Sequence, residues 1–188
     1  MFNFLKKKGQ SAQDDTLQTA NKNGESDVVQ KSIMTMELLQ TDFAMPIDGK
    51  IIPLSEVPDE VFAQGMMGQG FAIVPSGNTL YSPIAGQIVS IFPTKHAIGL
   101  VTNTGLEILI HVGVDTVKLK GQGFDLLAED GQFIKRGDAL LKIDLAYIDG
   151  NAPSSIIPII FTNLTTQKVN LLKNGVQQSG ETGILNIQ

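Results

Sequence analysis

Cysteine is missing from all 188 positions of this chain, which excludes disulfides, thiolate metal sites and a cysteine nucleophile at once. Such a composition fits a reducing, cytoplasmic compartment. Tryptophan is missing too, and histidine occurs only twice, at His96 and His111. No stretch holds the roughly 20 consecutive apolar residues needed to cross a bilayer. The opening MFNFLKKK places its apolar residues before its lysines and no apolar region follows, so it is not a secretory signal. Basic residues are scarce: 14 Lys and Arg stand against 19 Asp and Glu, a net charge of −5 that disfavours nucleic acid as a partner. The glycines at 65, 68 and 70 lack the Lys-Ser/Thr of a phosphate loop, and no Gly-x-Ser-x-Gly elbow occurs.

Glycine, by contrast, is abundant, with 19 residues, and the apolar fraction of 42% is enough for a full core. Together they favour a loop-rich β protein over a helical bundle. The chain divides in three. Residues 1–8 combine Phe2, Phe4 and Leu5 with Lys6, Lys7 and Lys8, a small amphipathic contact for a membrane or a partner. Residues 9–32 are polar and aperiodic and read as a disordered linker. Residues 33–188 form the folded domain, with nine basic and fifteen acidic side chains, so a net charge of 9 − 15 = −6.

Within that domain, short runs rich in Ile, Val and Leu are broken by Gly, Pro, Asn and Asp: 50–53, 70–74, 79–82, 86–92, 94–101, 106–112, 139–143 and 156–161. This spacing predicts an all-β fold, an antiparallel sandwich or barrel, with helical turns confined to 60–64 and 124–129. There is also an internal echo. Met45-Pro46-Ile47-Asp48-Gly49-Lys50-Ile51-Ile52 matches Ser82-Pro83-Ile84-Ala85-Gly86-Gln87-Ile88-Val89 at an offset of 37. Pro stiffens each entry and Gly permits close approach before a β-branched pair, so the sheet is expected to contain duplicated hairpin units. Residues 132–138 read as a surface turn feeding a strand.

Both histidines lie in one stretch, TKHAIGLVTNTGLEILIHVGVD, from Thr94 to Asp115. A hairpin reversing about Asn103 and Thr104 pairs residues whose numbers sum to 207, which sets His96 directly opposite His111. Two imidazoles on a partly apolar surface leave three readings open beside the bland one of a satisfied structural pair. In the first, a neutral ring nitrogen accepts a phosphoryl group while the other imidazole stabilises the developing charge. In the second the rings ligate zinc, with Asp115 as a candidate further ligand. In the third they are contacts of a binding module.

Several separated blocks then point to a family: Ser55–Phe62, Pro83–Gly86, Phe92–Ala97, and Leu109–Val117 followed by Leu119–Phe124. Over about residues 45–188 the chain resembles the glucose-type EIIA of the bacterial phosphoenolpyruvate–sugar phosphotransferase system. The resemblance implies an antiparallel β-sandwich that carries phosphate between proteins in the cytoplasm. It implies that HPr donates a phosphoryl group to Nε2 of His111, which passes it to a cysteine of a permease's IIB domain. His96 matches the second histidine, needed for onward transfer, and Thr94 the threonine that orients the active-site histidine. Val61, Phe62, Met66, Met67, Phe92 and Leu109 match the apolar collar used for docking. Because the chain has no cysteine, the IIB acceptor must lie in another polypeptide.

No cofactor is required by this resemblance. Free-standing relatives also regulate glycerol kinase and sugar permeases outside the phosphotransferase system, some with Zn²⁺ held by both histidines and a partner's carboxylate. The competing expectation is a zinc-dependent interaction module without phosphotransfer. One departure stands out: Asp149-Gly150-Asn151-Ala152-Pro153 occupies the place of a helical turn, which Gly and Pro should loosen.

Overall fold

The computed structural model describes residues 43–188. The expected amphipathic contact at 1–8, the linker at 9–32 and the first ten residues of the folded domain lie outside the described residues. From Phe43 onward the chain is a β-sandwich. Its strands are β1 (Gly49–Pro53), β2 (Gln69–Pro75), β3 (Thr79–Tyr81), β4 (Gly86–Ile91), β5 (Ala97–Thr102), β6 (Glu107–His111) and β7 (Phe124–Leu126). They continue with β8 (Phe133–Ile134), β9 (Ala139–Ile143), β10 (Ile157–Phe161), β11 (Val169–Leu171), β12 (Gly175–Gln177) and β13 (Leu185–Ile187). Two short helices, α1 (Glu60–Ala63) and α2 (Leu145–Asn151), interrupt them.

Eight strands form one antiparallel sheet in the order β12-β1-β2-β10-β6-β5-β4-β8. The smaller sheets β3-β9-β7 and β11-β13 supply the opposing layer. Ile73, Ile88, Leu100 and Ile110 from the large sheet join Leu141 and Leu185 from the small ones in a single buried cluster. Each such side chain contributes about 1.5–3 kcal/mol through burial. Alternation along β6 shows how sequence sets the layers: Ile108 and Ile110 enter this core, while Glu107, Leu109 and His111 face the other way.

The internal echo is structural. Gly49 opens β1 and Gly86 opens β4, and a Cβ at either would strike a neighbouring strand's carbonyl, Val74 O at 2.4 Å or Val101 O at 2.1 Å. Glycine permits both approaches. The residues that begin the two copies are fastened alike. Met45 exchanges backbone hydrogen bonds with Glu181 and Gly180, as Ser82 does with Asp138 and Gly137. The copies also brace each other, through Ala44 N–H to Pro83 O and Tyr81 N–H to Pro46 O. The large sheet thus reads outward in equivalent pairs from its centre: β10 and β6, β2 and β5, β1 and β4, β12 and β8.

Four expectations are corrected. Residues 124–126, expected in a helical turn, form β7 against β9. Residues 133–134, expected in a surface turn, add an edge strand beside β4. Helix α2 forms despite Gly150, because Asp144 caps it through Tyr147 N–H and Ile148 anchors it in the core. Pro153 lies just beyond its end, where Ala152 is already extended.

The hairpin register is the fourth. The β5–β6 pairs run Ala97↔His111, Ile98↔Ile110 and Gly99↔Leu109, so residue numbers sum to 208. The turn is a three-residue loop, Asn103–Gly105, closed by Thr102 N–H to Leu106 O, with Gly105 left-handed at φ 88. The extra residue shifts every pair by one, and His96 stands opposite Val112, whose N–H it accepts at 2.7 Å.

Candidate functional site

A one-residue shift should send the two histidines to opposite faces. They nevertheless meet, because His96 precedes β5. The turn from Phe92 to His96 closes with Lys95 N–H to Phe92 O at 2.7 Å, and Lys95 adopts the left-handed conformation at φ 60. That conformation takes His96 out of strand alternation. Its ring packs edge-on against that of His111, with centroids 4.8 Å apart and planes at 79°.

Each imidazole is held by its Nδ1. His111 Nδ1 is 2.8 Å from the carbonyl of Gly113. A carbonyl only accepts, so the proton sits on Nδ1 and Nε2 keeps its lone pair. His96 Nδ1 is 2.6 Å from Thr94 Oγ1. A hydroxyl that donates to Nδ1 leaves His96 with Nε2–H as a donor. The threonine therefore orients His96, and the orienting partner of His111 is the Gly113 carbonyl.

Burial pushes the pKa of His111 down to about 4, helped by His96 and opposed by the Gly113 hydrogen bond and the Asp59 carboxylate. Burial also lowers that of His96. Near neutral pH both rings are uncharged, one an acceptor at Nε2 and the other equipped to donate. A phosphoryl group is a good match for that pair, since a nucleophile and a donor to its oxygens stand side by side.

The expected apolar collar divides into wall and rim. Phe62 is only 5% exposed, and its ring lies 5.0 Å from that of His111, so it is a wall of the site. It is held there by α1, whose N-cap Asp59 accepts from Val61 N–H at 2.8 Å and Phe62 N–H at 3.4 Å. Leu109 is half-buried and packs in a second apolar cluster with Phe62, Val114 and Ile160. Val61, Met67 and Phe92 are about two-fifths exposed and Met66 two-thirds. Phe92 also stacks edge-on against His96 at 5.4 Å.

Asp115 does not serve as a metal ligand here: its carboxylate pairs with Lys118 at 2.5 Å. Among the described residues no group of three His, Cys, Asp or Glu side chains could hold a metal ion. With both Nδ1 atoms engaged, the two histidines offer only two Nε2 ligands, too few for a zinc site built by the described residues alone. Gly113 and Asp59 escaped the sequence reading as site residues. Their signals were a glycine two residues past the histidine, just beyond a strand, and an aspartate ahead of a short helical run.

Comparisons with known proteins point to one family and one fold. Residues 41–167 match the family described as phosphoenolpyruvate-dependent sugar phosphotransferase system, EIIA 1. The chain is 54% identical over 125 residues to the PTS system glucosamine-specific EIICBA component of Bacillus subtilis (strain 168), an alignment covering 66% of this chain. It spans one fifth (20%) of that relative's length. Its fold is similar to that of glucose permease IIA from Mycoplasma capricolum, with a TM-score of 0.73 and 43% identity, over 77% of this chain and 93% of that one.

Proposed function

The chain belongs to the EIIA 1 family of the phosphoenolpyruvate-dependent sugar phosphotransferase system, and from that premise we propose that it carries phosphate on Nε2 of His111. The observation that carries the proposal is the hydrogen bond from His111 Nδ1–H to Gly113 O, which leaves a neutral, protein-oriented Nε2 beside a second imidazole. Phospho-HPr supplies the group. The Nε2–P bond forms as the donor's N–P bond breaks, and the donor imidazole leaves with its electron pair. His96 Nε2–H donates to the phosphoryl oxygens, and Phe62 keeps water from the ring.

In the second half-reaction a thiolate of a IIB domain attacks phosphorus and the Nε2–P bond breaks, returning neutral His111. None of these 188 residues is a cysteine, so the attacking thiolate belongs to the IIB domain that docks on this one. The relatives' names, glucosamine and glucose, favour a hexose permease as the acceptor. The exposed rim of Val61, Met66, Met67 and Phe92 suits successive docking by donor and acceptor, the paired methionines adapting to both. Among the described residues no helix is long and apolar enough to cross a membrane, and a cytoplasmic location follows from the donor. Regulation of glycerol kinase or other permeases, or a zinc ion shared with a partner's carboxylate, would engage the same two Nε2 atoms and exclude phosphate from His111.

The test is phosphorylation with phosphoenolpyruvate, Enzyme I and HPr. The wild type should acquire one acid-labile phosphate and His111→Ala none; a labelled His111→Ala protein sinks the assignment. His96→Gln should accept phosphate and fail to pass it to IIB.

A further inference from the structure

Gly113 presents the carbonyl that sets the tautomer of His111, yet glycine is the residue whose peptides turn over most easily. Only glycine fits here: φ is left-handed at 79, and a Cβ would lie 2.4 Å from Thr116 Cγ2 and 2.8 Å from Ser154 O. Something must also stop the adjoining peptides from flipping. The 113–114 peptide is held by Gly113 O to His111 Nδ1 and by Val114 N–H to Ser154 O at 2.8 Å. The 112–113 peptide is held by Gly113 N–H to Ile156 O at 3.0 Å, and on its carbonyl side by Thr116, whose Oγ1–H donates to Val112 O at 2.5 Å. Thr116 is fully buried, with 0% exposure, and its methyl lies against Gly113.

Three of these four fastenings involve His111 or a carbonyl of the 154–156 segment. Only the Thr116 fastening is a side-chain hydroxyl bonded to the backbone. We propose that Thr116 is a positioning residue for phosphoryl acceptance: by pinning Val112 O it holds Gly113 O on His111 Nδ1 and so keeps Nε2 as the nucleophile. The role rests on the reading of His111 as phosphoryl acceptor. Without the hydroxyl, a buried carbonyl loses its donor and the 112–113 peptide gains a reason to rotate. Rotation of that peptide changes φ of Gly113 and so tilts the next peptide, drawing Gly113 O off Nδ1; the imidazole proton can then move to Nε2, which silences the nucleophile.

Two variants separate this role from mere packing. Thr116→Val keeps the shape and removes the hydroxyl, whereas Thr116→Ser keeps the hydroxyl and removes the methyl. The readouts are the ¹⁵N shifts of the His111 ring at pH 7, which report the tautomer directly, and the initial rate of phosphate acceptance from phospho-HPr. Wild type should show Nδ1 protonated. Thr116→Val should show a mixture with Nε2–H and an acceptance rate lower by about tenfold, the loss expected of one buried hydrogen bond. Thr116→Ser should restore the Nδ1–H pattern and most of the rate.

A folded Thr116→Val protein with the wild-type tautomer and rate overturns the proposal, as does a Ser variant impaired like the Val variant in both readouts. If Thr116→Val does not fold, the Ser variant decides, and mixed tautomers in it overturn the role. A wild type that accepts no phosphate refutes the function of His111, while the ¹⁵N spectra still judge Thr116.

Discussion

Lowering the pH from 7 to 5 should destabilise this protein through His111 in a way that identifies the ring as buried and neutral. In the unfolded chain the imidazole titrates near 6.5, whereas in the folded protein burial holds it down to about 4. Between those values the unfolded chain takes up a proton that the folded protein refuses, so stability falls as pH falls. The loss begins near 6.5 and ends near 4, below which both states are protonated. At about 1.4 kcal/mol per pH unit, the passage from 6.5 to 5 removes roughly 2 kcal/mol. For a domain of this size that corresponds to a drop of about 4–8 °C in Tm. His96, also lowered by burial, adds in the same direction, so the measurement must be a difference. Urea unfolding at pH 7 and pH 5 is compared for wild type and His111→Gln, and the wild type should lose roughly 2 kcal/mol more. Equal losses would refute the reasoning. The same shift keeps about nine-tenths of the folded protein's His111 neutral at pH 5, so phosphate acceptance should persist there.

Two further substitutions probe the walls of the site. Phe62→Ala removes the ring 5.0 Å from His111 and should cost about 3 kcal/mol. Admitting water should also raise the His111 titration midpoint by at least about one unit, and an unmoved midpoint in its proton NMR titration would contradict the role of Phe62 in desolvation. Gly113→Ala should cost about 2–4 kcal/mol, since the new methyl meets atoms at 2.4 and 2.8 Å. Gly131→Ala, at the similar φ of 78 but with nothing within 4 Å, should cost only about 1 kcal/mol. Equal denaturant midpoints for the two would refute the steric part of the argument.

The strands were legible wherever apolar residues ran together: the span at 139–143 is the one observed, and those at 50–53 and 156–161 end where expected. The repeat was legible because Pro and Gly stand at positions where the backbone requires them. What escaped was set by single residues in turns. Gly105 adds a third residue to the hairpin loop and moves the register by one, and Lys95 in a left-handed conformation cancels the effect on His96. The meeting of the two rings was therefore expected for the wrong geometric reason. Strands β11, β12 and β13 have three residues each with few apolar neighbours in sequence, too little for a periodic signal. Gly113 left only a weak signal as a site residue, because it acts through its backbone carbonyl, which every residue possesses.

The duplication also sets an order of events during synthesis. One repeat is continuous: β4 to β9 run from residue 86 to 143, and both histidines belong to it. The other is split, since β1 and β2 must wait for β10 and β12, more than 80 residues later in the chain. On a ribosome that extends the chain at about 5–20 residues per second, β4, β5, β6 and β8 have all emerged seconds before β10 and β12 arrive to pair with β2 and β1. Until residues 157–177 emerge, β6 has an open edge where β10 will pair, next to the ring of His111. The nascent chain thus holds both imidazoles before it holds the complete sheet around them, and the interval is one in which a holdase chaperone has an unpaired strand edge to bind.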